Sequence, residues 1–387
     1  MDDSNNNTGT ITSDDGGQPD VDPNETSEQK EKRIANYVKF DNGRKFRDWI
    51  VKEKIDEGGF GKVYLMENKK KPNLRAALKA EPNEVEGGSA IKLEIEVIRA
   101  INPKGEAVHV PYVYHAAKHK RYSYMIMTLL GPNFKKIRIA GKKEKPGDPW
   151  LTLPVSTWIR LGIQCLYAIK TIHDNGYIHR DVKPNNFVVG DPKDDEKSRV
   201  VYIIDFGLSR SYAFKKNGAW VHRIARKSAD FRGTARYCSP NVHDNQEQGR
   251  HDDLWSLMYV LIELHCGLPW QTTREKERIE MIKCNMKDED LMINMPKELR
   301  PIVPALRKNT CYNRPDYLAI YQAMVEVMKR YKVNPDDPYD WEKKGNVPKP
   351  SKTPDWVDAE EFFKSDPVGI NGPPQATRRS VGRAPAQ

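Results

Sequence analysis

Cysteine is scarce and badly spaced for cross-linking. Cys165, Cys238, Cys266, Cys284 and Cys311 are odd in number and never fall in a CxxC pair. That excludes a disulfide framework and a cysteine-based zinc site, and it suits a reducing compartment. Long apolar runs are also missing. The longest, residues 254–264, falls short of the about 20 residues a spanning helix needs and reads as a buried helix. Met1-Asp2-Asp3 leads into no basic-then-apolar stretch, so no secretory signal is expected. The expectation is an intracellular, cytoplasmic protein, with the nucleus left open. Residues 1–43 have almost no large apolar side chains and are expected to lie outside the folded domain as a disordered polar tail. Residues 343–387 are dominated by Pro, Lys, Ser and Gly and are expected to form a mostly flexible tail. Within it only Trp356, Phe362 and Phe363 offer a docking patch.

The chain between those ends has the means to fold. Its 387 residues are 38% hydrophobic, despite a mean hydropathy of −0.77, and the length suggests two lobes. Period-two alternation predicts strands at 49–55, 62–66, 112–118 and 122–129, a short apolar run suits another at 76–80, and helical spacing marks one helix at 90–101. After Gly131 the spacing turns helical, at 154–175, 253–266, 276–285, 296–308 and 316–331. The net charge of +10 favours acidic partners such as phosphoproteins. The basic residues are dispersed and carry no RNP, helix-turn-helix or zinc signature, so no specific nucleic-acid partner is expected.

Two short strings carry the chemistry. His179-Arg180-Asp181-Val182-Lys183-Pro184-Asn185-Asn186 puts a carboxylate, an ammonium and an amide carbonyl within six positions, and Asp205-Phe206-Gly207 adds a second carboxylate before a glycine turn. Phosphoryl transfer needs a base to orient a hydroxyl, a cation to offset phosphate charge and oxygen ligands for magnesium. Asp181 is the candidate base and Lys183 the cation, with Asn186 and Asp205 as the Mg2+ ligands. Upstream, Glu57-Gly58-Gly59-Phe60-Gly61-Lys62-Val63 is a glycine-rich turn between two strands. Gly58, Gly59 and Gly61 would let backbone amides approach phosphates, although a tight hairpin uses the same residues. Lys79 stands in the otherwise apolar Ala76-Ala77-Leu78-Lys79-Ala80. It either reaches solvent or pairs with an anion. Glu94 is the candidate partner, and Glu96 falls on another helical face.

Over roughly residues 45–342 the sequence resembles the protein kinases, and within them the casein kinase 1 group, nearest the tau-tubulin kinase branch. The marks are Phe231-Arg232-Gly233-Thr234-Ala235-Arg236-Tyr237, Ser239-Pro240-Asn241 in place of Ala-Pro-Glu, and Gly249-Arg250-His251-Asp252-Asp253-Leu254-Trp255. Leu268-Pro269-Trp270-Gln271 and Tyr339-Asp340-Trp341-Glu342 add to them. The resemblance implies an α+β two-lobed fold, with a small β-rich lobe at 44–130 and a helical lobe at 131–342, acting as a monomer on protein Ser/Thr hydroxyls with ATP and Mg2+. Lys183, two residues after the base, is the arrangement associated with Ser/Thr specificity. The resemblance places Ile55, Val63, Ala77, Met127 and Leu130 around the adenine and Thr234 beside Asp181 and Lys183. It makes Arg236 and Arg274 a site for acidic or phosphorylated substrate groups, with bracing of a local carbonyl open as an alternative for Arg274. One position departs from the family. Asp56 replaces the first loop glycine, and an inward carboxylate there would weaken ATP binding and favour a scaffold role.

Overall fold

The computed structural model describes residues 25–58, 61–84, 88–141, 152–342 and 358–374. Gly59 and Trp356 lie outside them. Helix α1 (Ser27–Asn36) comes first, followed by strands β1 (Lys45–Phe46), β2 (Trp49–Gly58), β3 (Gly61–Asn68) and β4 (Arg75–Pro82). Helix α2 (Ile91–Ile101), β5 (Val113–Lys118) and β6 (Tyr122–Thr128) complete the first lobe. The strands form one antiparallel sheet in the order β1-β2-β3-β4-β6-β5. Alternation explains β3, where Tyr64 and Met66 are buried between outward neighbours. β6 is buried on nearly every residue because α2 covers one face and a second apolar cluster covers the other.

That second cluster corrects the expected tail boundary at residue 43. Val38 and Phe40 are buried with Phe46, Trp49, Tyr64 and Tyr122. α1 begins at a capping box in which Thr26 Oγ1 accepts from Gln29 N while Gln29 Oε1 accepts from Thr26 N. The Thr-x-x-Gln spacing was the available sequence signal. Two buried apolar residues among many polar ones sufficed to dock the segment.

The second lobe opens with β7 (Leu130–Asn133), α3 (Phe134–Gly141) and the long α4 (Val155–Asp174). Then follow β8 (Tyr177–Ile178), β9 (Phe187–Gly190), β10 (Val201–Ile203), β11 (Arg210–Ser211), and the hairpin β12 (Ala213–Lys216) and β13 (Ala219–His222). The remaining helices are α5 (Pro240–His243), α6 (Arg250–His265), α7 (Lys276–Asn285), α8 (Asp288–Leu291), α9 (Ile302–Arg307), α10 (Tyr317–Arg330) and α11 (Ala359–Lys364). α4 and α6 form the lobe's axis, and α6 is buried along almost its whole length, as the apolar run at 254–264 predicts. Among the described residues no helix is long and apolar enough to cross a membrane.

One other expectation changes. The helix expected over 296–308 splits into a 3-10 turn, Lys297–Leu299, and α9, because Pro301 supplies no backbone donor at the junction. The charged stretch 191–199 is exposed in its middle but tied at both ends, by Arg75 to Asp191 and by a two-pronged Arg199–Glu342 pair at 2.6 and 2.7 Å. In the tail, Phe363 is fully buried against Tyr167 and Tyr321, ring centroids 4.5 and 4.7 Å apart, and Phe362 stacks on Tyr167. Arg314 caps the end of α11 by donating to Phe363 O and Ser365 O.

Candidate active site

β4 and α2 bring Lys79 and Glu94 together across 15 residues of chain. Lys79 Nζ lies 2.5 Å from Glu94 Oε2, and Glu96 is exposed on another face, beside Lys92. Glu81, two residues on from Lys79 and so on the same strand face, adds a second carboxylate at 3.4 Å. Glu81 also accepts from Ser89 Oγ and Ile91 N, fastening the start of α2. Burial would lower the Lys79 pKa, but Glu94, Asp205 and Glu81 together raise it, so the ammonium stays charged. Burial pushes Glu94 up against the pull of Lys79. Glu81 was missed in the sequence, although its spacing from Lys79 was a usable signal.

α2 rests on the turn after Asp205. A Cβ on Gly207 would fall 2.8 Å from Ala90 Cβ, so glycine there permits the contact. Asp205 and Arg180 both take left-handed backbone conformations, φ +69° and +67°, of the kind that surrounding structure must hold in place. For Arg180 that structure is Asp253 on α6. Its carboxylate accepts from His179 N at 2.7 Å, Arg180 N at 2.8 Å and His173 Nε2 at 2.8 Å. Burial would raise the Asp253 pKa, but the His173 hydrogen bond and the neighbouring histidines hold it below the ordinary carboxylate value. Burial lowers the His173 pKa against the pull of Asp253, and its Nδ1 lies 2.7 Å from Tyr317 Oη. His179 packs on buried Phe206, centroids 5.2 Å apart, as a structural residue. Asp253 lies in one of the strings that carry the family resemblance, but its role was not legible there, because its partners lie 73 to 80 positions away.

Asp181 sits in this frame with 6% exposure. Lys183 Nζ is 2.5 Å from Oδ2, and Thr234 Oγ1 donates to Oδ1 at 2.6 Å. Lys183 also approaches Thr234 Oγ1 at 3.4 Å. Asn186 donates through Nδ2 to Asp181 O at 2.9 Å, leaving its carbonyl oxygen as a cation ligand. Among the described residues no group of three or more His, Cys, Asp or Glu gathers to hold a metal. An amide and a carboxylate, Asn186 and Asp205, instead suit Mg2+ shared with phosphates.

Above the cleft, Ala77 and Met127 face each other across β4 and β6, and both are buried. Val63, paired with Lys79, and Leu130 are half-buried, while Ile55 is 40% exposed at the mouth. Gly58 pairs with Gly61 at the start of the turn, and a Cβ on Gly61 would collide with Ala80 O. Close packing on β4 therefore demands that glycine whether or not a phosphate is near. Asp56 is exposed, and its carboxylate is taken by Lys136 of α3 at 3.0 Å across the mouth of the cleft. Burial pushes its pKa up, and the Lys136 and Glu57 N–H hydrogen bonds outweigh that and lower it.

A model of the protein kinase domain matches residues 49–326. The chain belongs to the protein kinase family. Within the family it falls in the casein kinase 1 group, near the tau-tubulin kinases. It is 41% identical over 288 residues to inactive tau-tubulin kinase ttbk-6 of Caenorhabditis elegans, covering 73% of this chain and 97% of that protein. A second protein of that species, carrying a provisional serine/threonine-protein kinase name, is 38% identical over 292 residues, 76% of this chain and 81% of its own. A third, provisionally named as a casein kinase I, is 31% identical over 304 residues, 76% and 83% of the two chains. A kinase domain implies ATP and protein substrates.

The substrate-anion pair departs from expectation. The Arg236 guanidinium donates to Gln271 O at 2.7 Å and Thr273 O at 3.2 Å, so its planar fork braces a turn of the kinase domain. The local-carbonyl role left open for Arg274 thus belongs to Arg236. Arg274 is exposed, and its backbone N–H bonds Glu275.

Proposed function

We propose that this chain is an active, ATP- and Mg2+-dependent protein serine/threonine kinase. The carrying observation is the assembled pair of clusters, Asp181 between Lys183 and Thr234, and Lys79 on Glu94. Asp181 orients the acceptor hydroxyl and takes up its proton, while Lys183 offsets charge gathering on the transferred group. Lys79, aimed by Glu94, holds the α- and β-phosphates, and Asn186 with Asp205 hold the metal. Mg2+ held by Asn186 and Asp205 would supply positive charge against the phosphates. Positioning and charge stabilisation do the work, with no covalent intermediate on the protein. Acidic or primed acceptor sites are the preferred class, supported by the net charge of +10 and exposed Arg274. The chain acts as a monomer, and five free cysteines suit the cytoplasm.

The test is transfer of labelled γ-phosphate to casein or a primed acidic peptide, with Asp181→Asn as control. Transfer that disappears in the variant while nucleotide binding persists supports the reading. The name of the 41%-identical relative favours a second one, a scaffold that does not transfer phosphate. Wild-type chain that binds nucleotide yet gives no transfer would establish it.

A further inference from the structure

Lys283 on α7 is 3% exposed and forms no ion pair among the described residues. A buried ammonium is costly unless other groups replace its water. Here Nζ donates to Ala235 O at 2.6 Å and Cys238 O at 2.7 Å. The rings of Tyr259 and Trp270 lie 4.7 and 5.2 Å from it, within cation–π range. Both carbonyls belong to the stretch 234–238, which is neither helix nor strand. Thr234 at its head holds Asp181, and Trp270 Nε1 takes the Arg236 carbonyl at 2.9 Å. At its foot Asn241, standing where most kinases have a glutamate, is neutral. It bonds His251. The fixed charge acting on the backbone of this stretch therefore comes from Lys283.

We propose that Lys283 is the positioning residue of the acceptor segment, its ammonium fixing Ala235 and Cys238 so that a peptide hydroxyl meets Asp181. The proposal rests on the kinase reading. Burial, aided by Arg236, lowers the Lys283 pKa to about 8, against the pull of Cys238 and Cys284. Around it stand the Cys238 thiol, pushed up to about 11 by burial, and His243, which burial lowers and which faces Glu280 at 3.3 Å. Lys276 lies over Phe231, and burial raises the Tyr259 phenol. The sign is unusual. Because the folded value lies below the ordinary 10.5, the cost of burying the charge is relieved as pH rises from about 8 towards 10.5. Over that window this group makes the fold more stable while its hold on the two carbonyls weakens.

The full chain is assayed from about pH 6.5 to 9.5 with a primed acidic peptide, and binding of the same peptide with its acceptor serine replaced by alanine is followed by fluorescence anisotropy. Lys283→Met should raise the peptide KM and weaken peptide binding roughly tenfold or more, leaving the ATP KM unchanged. Lys283→Arg, which stays charged, should restore most of the affinity and abolish the wild-type loss of peptide binding above pH 8. Unchanged peptide binding in Lys283→Met, or the same alkaline loss in Lys283→Arg, overturns the proposal. If Lys283→Met does not fold, the pH profile of Lys283→Arg decides. Wild-type chain that transfers no phosphate overturns the kinase reading alone, and the anisotropy still decides on Lys283.

Discussion

The Lys79 ammonium stands between two carboxylates, and removing them one at a time separates their roles. Glu94 lies at 2.5 Å and Glu81 at 3.4 Å, and each has a residue exposure of 2%. Deleting one partner of a buried ion pair costs about 3–5 kcal/mol when a bare charge is left behind. Glu94→Gln does not leave Lys79 bare, because Glu81 remains. The expected loss is that of one hydrogen bond to a charged group, about 1.5–3 kcal/mol. This corresponds to roughly a 10- to 150-fold fall in kcat/KM for ATP. Glu81→Gln loosens the start of α2 through Ser89 and Ile91, and should cost about 1 kcal/mol. The double variant leaves Lys79 with only Asp205 nearby, and its loss should exceed the sum of the singles by about 1 kcal/mol or more. Steady-state ATP kinetics on the four proteins, with calorimetric binding of a non-hydrolysable ATP analogue, measure the cycle. Additivity within about 0.5 kcal/mol would refute the shared-counterion argument. So would Glu94→Gln alone producing the full loss.

Asp56→Gly breaks a pair in which both side chains are more than half exposed, 56% and 57%. The ATP KM should therefore move less than about fivefold, and less still at high salt, whereas a larger fall would put the carboxylate on the nucleotide. Asp253→Asn should destabilise the chain at neutral pH, as read by urea unfolding. Because the folded pKa of Asp253 is lowered, its contribution is present above the ordinary 3.8 and is lost as pH falls below it. The gap between wild type and variant should therefore close on acidification, and a gap independent of pH would contradict the hub role. Phe363→Ala empties a fully buried site between Tyr167 and Tyr321. It should cost about 3–5 kcal/mol in the same assay, and a loss under about 1 kcal/mol would show that α11 is not part of the folded unit.

Elements with a strong local period were legible in the chain. Five of the six strands of the first lobe, α2 and α4 were legible, with burial on one face leaving alternation in β3 and helical spacing in α2, and β4 reading as a short apolar run. The site was legible where a motif packs its groups close in sequence, as from Asp181 to Asn186. It was also legible where one misfit residue demands a partner, as Lys79 does in an apolar strand. It failed where the deciding contact is distant. The docking of Val38 and Phe40, the bracing role of Arg236 and the hub at Asp253 depend on surfaces that other elements complete. The hairpin of β12 and β13 was missed because its strands are too short to carry a period.

The sequence by itself determined which chemical groups are present and their local order: a base, a cation and two metal ligands in two short strings, and a lysine that needs an anion. Side-chain chemistry and period are local properties, so these survive without coordinates. Tertiary structure alone decided which carboxylates meet Lys79, that Lys136 takes up Asp56, and that Lys283 rather than a glutamate braces the segment carrying Thr234. Hydrogen bonds and ion pairs act over a few ångströms, and which groups come that close is fixed only when the two lobes pack.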